Sequence, residues 1–459
     1  MKSLKIKLLL ATIVMGPCAA VAQNTYSGYF LDNYDYRYQM NPSVGNEKNF
    51  VSFPALGNLN VRLGGTLHVN SVLYNIDGRT CLFSNPAISA SEAMSKFKDN
   101  NRLDGNVKVP VMSAGFKAWG GYNTVSINAN VDFGAAVPKS LFSLVKEGVS
   151  NRTYDIKDVR AHAMGYGEIA FGHSRDIKQV PGLRVGATLK FLIGVANADI
   201  QLDKANLVLG EDKWTAVTNA NIYGNLGGLQ YEHDFDKDSG REYVSGVNLD
   251  GDGSIGPNGF GIGFDLGAQY EWNNFTFSAA VLDLGFISWS RTMKASTDGD
   301  RTFDTDAYIF NVDDDAPNSF ESEWKRMRDG LSDLYQLSDK GDVGSRTTGL
   351  AATLNFGVDY KLPYYDKLHF GLLNSTRING PYTWTQVRLS ANVAPVKVFS
   401  ADVNVAAGTF GWSFGWMLNV HTTGFNFFAG MDHTLGKLAK QGVPLSSNAQ
   451  FAMGINFPF

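Results

Sequence analysis

The sequence predicts an all-β fold, an antiparallel transmembrane β-barrel of about 14 strands (roughly 12 to 16), and three observations lead to it. First, Phe260, Ile262, Phe264, Leu266, Ala268, Tyr270 and Trp272 alternate without a break with Gly261, Gly263, Asp265, Gly267, Gln269 and Glu271. Soluble strands run about five or six residues, whereas a tilted membrane-crossing strand needs about nine to eleven, so length favours the membrane. Second, the alternation recurs. Leu350, Ala352, Leu354, Phe356, Val358 and Tyr360 oppose Ala351, Thr353, Asn355, Gly357, Asp359 and Lys361, and Leu183, Val185, Ala187, Leu189, Phe191, Ile193 and Val195 oppose Arg184, Gly186, Thr188, Lys190, Leu192 and Gly194. The second set is mostly small or charged, as a watered lumen requires and a sandwich core does not. Third, residues 449–459 set Phe451, Met453, Ile455 and Phe457 toward lipid and Gln450 and Asn456 toward the lumen, ending on Phe459. Pro458 cannot donate a ladder bond, which is tolerable where a strand stops.

The elements follow in chain order. Lys2, Lys5 and Lys7, an apolar run at 8–15 and Ala20-Val21-Ala22 make a secretory leader, with cleavage expected after Ala22. Residues 23–54 are expected to form a hatch or plug segment, and 55–459 the barrel. Strands are expected near 58–75, 105–119, 121–135, 156–173, 182–200, 213–226 and 259–290, the last of which could hold two. Seven more are expected near 349–362, 367–376, 381–394, 396–408, 410–421, 423–433 and 449–459. Joins such as Asn379-Gly380-Pro381 and Gly408-Thr409 read as hairpin turns. Short helices are expected within 85–101 and 138–148, and long extracellular loops at 228–258 and 291–345. The second loop carries Phe320, Trp324, Met327, Leu331, Leu334 and Tyr335 at helical spacing. Asn318 or Ser319 can cap that helix, with Glu321 and Glu323 in its first turn.

Composition narrows the chemistry. The chain has 40 Lys+Arg against 44 Asp+Glu, a net charge of −4 that becomes −7 once the leader's three lysines go, so nucleic acid is not an expected partner. Cys81 is the only cysteine after the leader, which excludes an internal disulfide or a multi-cysteine metal site. The seven histidines include no H-E-x-x-H pair, and there is no G-x-S-x-G elbow or phosphate loop. No catalytic, cofactor-binding or metal residue is therefore assigned, and no enzyme is expected. Asn248, Asp250, Asp252 and Ser254 resemble the first part of an EF-hand loop, and Asp234, Asp236 and Asp238 lie just upstream. The twelfth position, where a bidentate Glu belongs, is Gly259, so a solvated Asp/Gly loop is the alternative. Asp313, Asp314 and Asp315 read as a solvated loop before the helix.

Asn41-Pro42-Ser43 closes a tyrosine-rich stretch containing Tyr26, Tyr29, Tyr34, Tyr36 and Tyr38; taken alone, the dipeptide Asn41-Pro42 is simply a turn. Together with the leader, the strand number and the terminal Phe459, it resembles the broad FadL-like superfamily of bacterial outer-membrane proteins. There, a segment carrying Asn-Pro-Ala packs inside a 14-stranded barrel as a hatch; Ser43 replaces that alanine here. The resemblance implies a Gram-negative outer-membrane protein, in contact with membrane lipids and with the barrel assembly machinery through its last strand, that takes up or captures a hydrophobic or amphipathic small molecule. The chain is similar, too, to outer-membrane families of unknown function, to which no substrate attaches. The alternative expectation is a non-transporting surface or secretion-accessory barrel that binds a protein partner through its long loops.

Overall fold

The computed structural model describes residues 25–53, 57–148, 152–209, 213–235, 240–249, 256–309, 317–433 and 448–459; the expected leader lies outside them. Fourteen antiparallel strands make the wall. They are β1 (Phe50–Ser52 and Leu59–Gly65), β2 (Asn100–Ala118), β3 (Gly121–Pro138), β4 (Val159–Asp176), β5 (Leu183–Leu209), β6 (Gly259–Trp272) and β7 (Phe275–Trp289). Then come β8 (Arg346–Gly349 and Ala352–Lys361), β9 (Leu368–Ile378), β10 (Trp384–Val396), β11 (Phe399–Gly408), β12 (Gly411–His421), β13 (Asn426–His433) and β14 (Ala449–Pro458). β14 pairs back onto both parts of β1, Pro458 opposite Phe50 and Met453 opposite Leu59, so the ring closes. Closure pairs the edge groups that lipid could not satisfy.

The strand count agrees with expectation, but two differences cancel. The stretch 213–226 is a strand, Trp214–Leu226, yet it pairs with residues 196–209 at the far end of β5, beyond the part of β5 that pairs with β6. Conversely 259–290 is two wall strands, joined at Asn273-Asn274 with Asn273 at φ 52°, the left-handed conformation that a two-residue hairpin demands. At the first strand the wall starts earlier than expected, at Phe50, and leaves the membrane path at Gly65.

The two faces divide as the alternation requires. Phe264, Leu266, Trp272, Leu284, Phe356, Leu389, Val403 and Phe414 are exposed outward, while Asn355, Asn392, Asn419 and Asn456 are fully buried inside. An apolar band outside a polar interior makes this a transmembrane barrel of the outer-membrane type. No helix among the described residues is long and apolar enough to cross a membrane; the strands do so.

One end carries only short turns; the other carries the long connections, together with two short ones, between β9 and β10 and between β11 and β12. In the long connections, α1 (Ala90–Ser95) and α2 (Lys139–Glu147) meet through Phe97 and Phe142, stacked 4.1 Å apart. In α3 (Phe320–Asp333), Met327 and the following Leu334 pack on Phe303, but Trp324 and Tyr335 remain exposed, so the apolar stripe is only half used. Ser319 stands at the N-cap, though its hydroxyl donates to Ser322 Oγ rather than capping the backbone.

Candidate luminal site

Residues 25–49 run along the inward faces of strands all round the wall. The Tyr26 and Ser27 amides donate to Asp432 of β13 at 2.8 and 2.7 Å. Ser400 of β11 donates to Asp32 O, Asn355 of β8 to Met40 O, and Arg184 of β5 to Ser43 O at 2.7 Å. One stretch reaches so many strands of a closed ring only from within. Tyr26, Tyr29, Phe30, Leu31, Tyr34, Tyr36, Tyr38 and Met40 are all buried there, against Phe50, Tyr122, Leu373, Met417 and Phe428 of the wall. At about 1.5–3 kcal/mol per buried apolar side chain, this burial dominates the docking.

Asn41-Pro42-Ser43 is both a turn and a seat. Asn41 Oδ1 accepts from the Ser43 amide at 3.0 Å, closing the turn. The turn rests on Gly186 and Gly267, where a Cβ would come within 2.0 Å of Pro42 O and 2.1 Å of Asn41 Oδ1. Only bare backbone in β5 and β6 admits it.

A buried carboxylate opposes this docking. Burial pushes Asp35 up to about 6, against a hydrogen bond from Asn426 at 2.9 Å that favours its charged form. Its folded pKa is raised, so its contribution is most favourable below the unfolded value and is lost as pH rises through 6, leaving a cost of about 3 kcal/mol at neutral pH. Asp35→Asn, which keeps an acceptor for Asn426, is therefore expected to raise the unfolding midpoint at pH 7 and leave it unmoved at pH 4. Equal shifts at both pH values would show that the carboxylate carries no such cost.

At mid-height the wall bulges over an ion cluster. Leu282 and Asp283 of β7 together face the single Asp265 of β6, with Asp283 at φ 58° and its amide donating to Asp265 Oδ1 at 2.7 Å. Lys190 of β5 bonds both carboxylates, at 2.7 and 2.6 Å, and lies 4.0 Å from Glu168, which Lys108 approaches at 3.3 Å. The β7–β8 ladder is interrupted at the same level, between Leu282 opposite Thr353 and Phe286 opposite Gly349. The interruption slips the alternation by one residue. Leu350, expected to face lipid, instead packs on a luminal group.

That group is Met164, Tyr166, Leu192, Ile287 and Trp289, an apolar island in a polar lumen. Leu192, which alternation places on the polar face, does point inward, but into this island. Beside it, toward the long-loop end, lies a cavity of about 290 Å³ lined by Asp132, His162, Met164, Asn197, Thr348 and Tyr382, among others. One of its lining residues, Asp132 of β3, is paired with Arg377 of β9, Nη2 to Oδ1 at 2.6 Å, which ties the two strands across the lumen. We call this space the vestibule. No sequence motif marks it; the one usable signal is Leu192, a large apolar residue on a face otherwise small or polar.

Of the cation-loop residues, Asn248 lies in the hairpin strand Glu242–Leu249, opposite Gln230. Asp250, Asp252 and Ser254, with Asp236, Asp238 and Asp313 to Asp315, fall outside the described residues. Among the described residues no three His, Cys, Asp or Glu side chains are gathered as for a metal ion.

Comparison with known families matches residues 42–432 to a family of unknown function (DUF5723). The chain belongs to this family. No curated protein matches it. Among solved structures, this DUF5723 member is similar to the Ralstonia pickettii toluene transporter TbuX, at 10% identity, TM-score 0.40 and 92% coverage of each chain. It is similar as well to the Pseudomonas putida toluene transporter TodX, at 8% identity and TM-score 0.38, covering 96% of this chain and 94% of that one. A Pseudomonas aeruginosa FadL homologue aligns at 9% identity and TM-score 0.35, over 96% and 97%. The fold assignment itself rests on the strand pairing above.

Proposed function

We propose that the protein takes up or captures a hydrophobic or amphipathic small molecule at the outer membrane, with the vestibule as its receiving site and residues 25–49 as a hatch. The observation that carries this reading is the apolar island. Met164 is the member of the island that lines the vestibule, and Leu192, Ile287 and Trp289, fully buried, pack behind it and give that stretch of an otherwise polar lumen an apolar backing, which suits a pocket that holds an apolar molecule. The polar groups at the same cavity, His162 and Asn197 among them, suit a molecule with a polar end.

The test is binding of the apolar fluorophore N-phenyl-1-naphthylamine to the purified barrel in detergent. Met164→Gln keeps the side chain's length and makes it polar, and is expected to weaken binding about tenfold, the effect of about 1.4 kcal/mol. Binding that is unchanged would remove the island from the route. The second reading, a scaffold for a protein partner, is favoured by the exposed Trp324 and Tyr335 of the α3 region. Loss of a stoichiometric partner on Trp324→Ser, with fluorophore binding intact, would support it.

A further inference from the structure

The connection between β9 and β10, residues 379–383, is as short as a plain turn, yet it lies across the barrel. The Tyr382 ring packs on His162 of β4, centroids 4.4 Å apart, and against Gly134 of β3. In a ring of fourteen, β3 stands seven strands from β10 in either direction. Tyr382 therefore reaches the opposite side of the lumen mouth.

The reach is built in from both sides. A Cβ on Gly134 would stand 2.7 Å from His162 Cε1 and 3.0 Å from Tyr382 Cδ1, so the ring has room only because that position lacks a side chain. On the connection, Gly380 takes φ 50°, the Tyr382 amide donates to Asn379 O at 2.9 Å, and the Thr383 hydroxyl donates to Gly380 O at 2.8 Å. Arg102 of β2 donates to Thr383 O at 3.1 Å, and the next residue, Trp384, is held under the Arg62 guanidinium at 4.5 Å. Held by these contacts, the segment acts as a bar.

We infer that Tyr382 is the size-selecting constriction of the vestibule. Tyr382 lines the same cavity as Met164, together with Thr348 and Gly349 of β8 and Ala351, so on this inference a molecule entering from the long-loop end meets Tyr382 on its way to Met164. A cavity of about 290 Å³ lies at the lower edge of small-molecule sites. A cavity of that volume suits a slender chain or a single ring better than a fused-ring molecule, and Tyr382 is the residue we expect to enforce that limit. The inference rests on the vestibule being the receiving site, but its test needs no transport.

In a Cys81→Ser background, Met164→Cys places one thiol on the cavity. The full chain in proteoliposomes is treated with a small methanethiosulfonate and, separately, with a maleimide carrying a fused-ring dye. With Tyr382 present the small reagent is expected to label the thiol and the bulky one to label slowly. Tyr382→Ala is expected to accelerate the bulky reagent about tenfold and leave the small one unchanged, while Tyr382→Phe keeps the slow rate. His162→Ala, which removes the ring's seat without altering the connection, should give the same acceleration and covers the case in which Tyr382→Ala does not fold. Equal bulky-reagent rates in all four proteins would overturn the inference. Size-selected labelling without any fluorophore binding would instead remove the proposed uptake and leave the constriction standing.

Discussion

Deletion of residues 25–48 is expected to turn a closed barrel into a conducting one, raising single-channel current in planar bilayers about tenfold or more. The deletion stops at 48 because Asn49 O accepts the Phe459 amide and Phe50 already belongs to the wall. Eight buried apolar side chains and hydrogen bonds to β5, β8, β11 and β13 leave with the segment, and the lower lumen is emptied. The new channel should remain narrower than a bare 14-strand ring, because the Arg377–Asp132 pair and Tyr382 still cross it. Unchanged current from protein that still migrates as a folded barrel on an unheated gel would show that residues 25–48 do not close the lumen.

Lys190→Met is expected to lower stability by about 3–5 kcal/mol. Lys190 Nζ lies within 2.7 Å of both Asp265 and Asp283, and without it the two carboxylates face each other unneutralised beside Glu168. The left-handed Asp283 would lose the contact that holds it. The double variant Lys190→Met with Asp283→Asn is expected to recover most of the loss, since it removes the stranded charge. A guanidinium unfolding midpoint that does not move in the single variant would exclude the cluster as a brace of the bulge.

The wall was legible because its code is local: alternation over a dozen residues identified β5, β6, β8 and β14, and the inward Gln450 and Asn456 are buried while Met453 is exposed. The Asn273-Asn274 hairpin was legible in principle, two asparagines between two alternating runs, but continuous aromatic alternation on both sides masked it. The strand 214–226 has nothing local to distinguish it from a wall strand; its place is set by which part of β5 it pairs with. The vestibule was not legible for the same reason on a larger scale. Leu350 turns inward because Asp283, more than sixty residues earlier, bulges β7, and Tyr382 crosses the lumen because Gly134 leaves it room from the far wall. Such dependencies join residues that alternation cannot connect.

The bonds from Tyr26 and Ser27 to Asp432 join positions 406 and 405 residues apart in the chain. Contacts of such separation are slow to form, and these cannot form at all until β13 has been delivered. Tyr26 and Ser27 thus wait for nearly the last strand, so that docking of the luminal segment and closure of β14 onto β1 belong to one late event. A chain stalled before β13 would leave eight apolar side chains without their partners, and their shielding during that interval becomes a requirement of biogenesis rather than of the finished barrel.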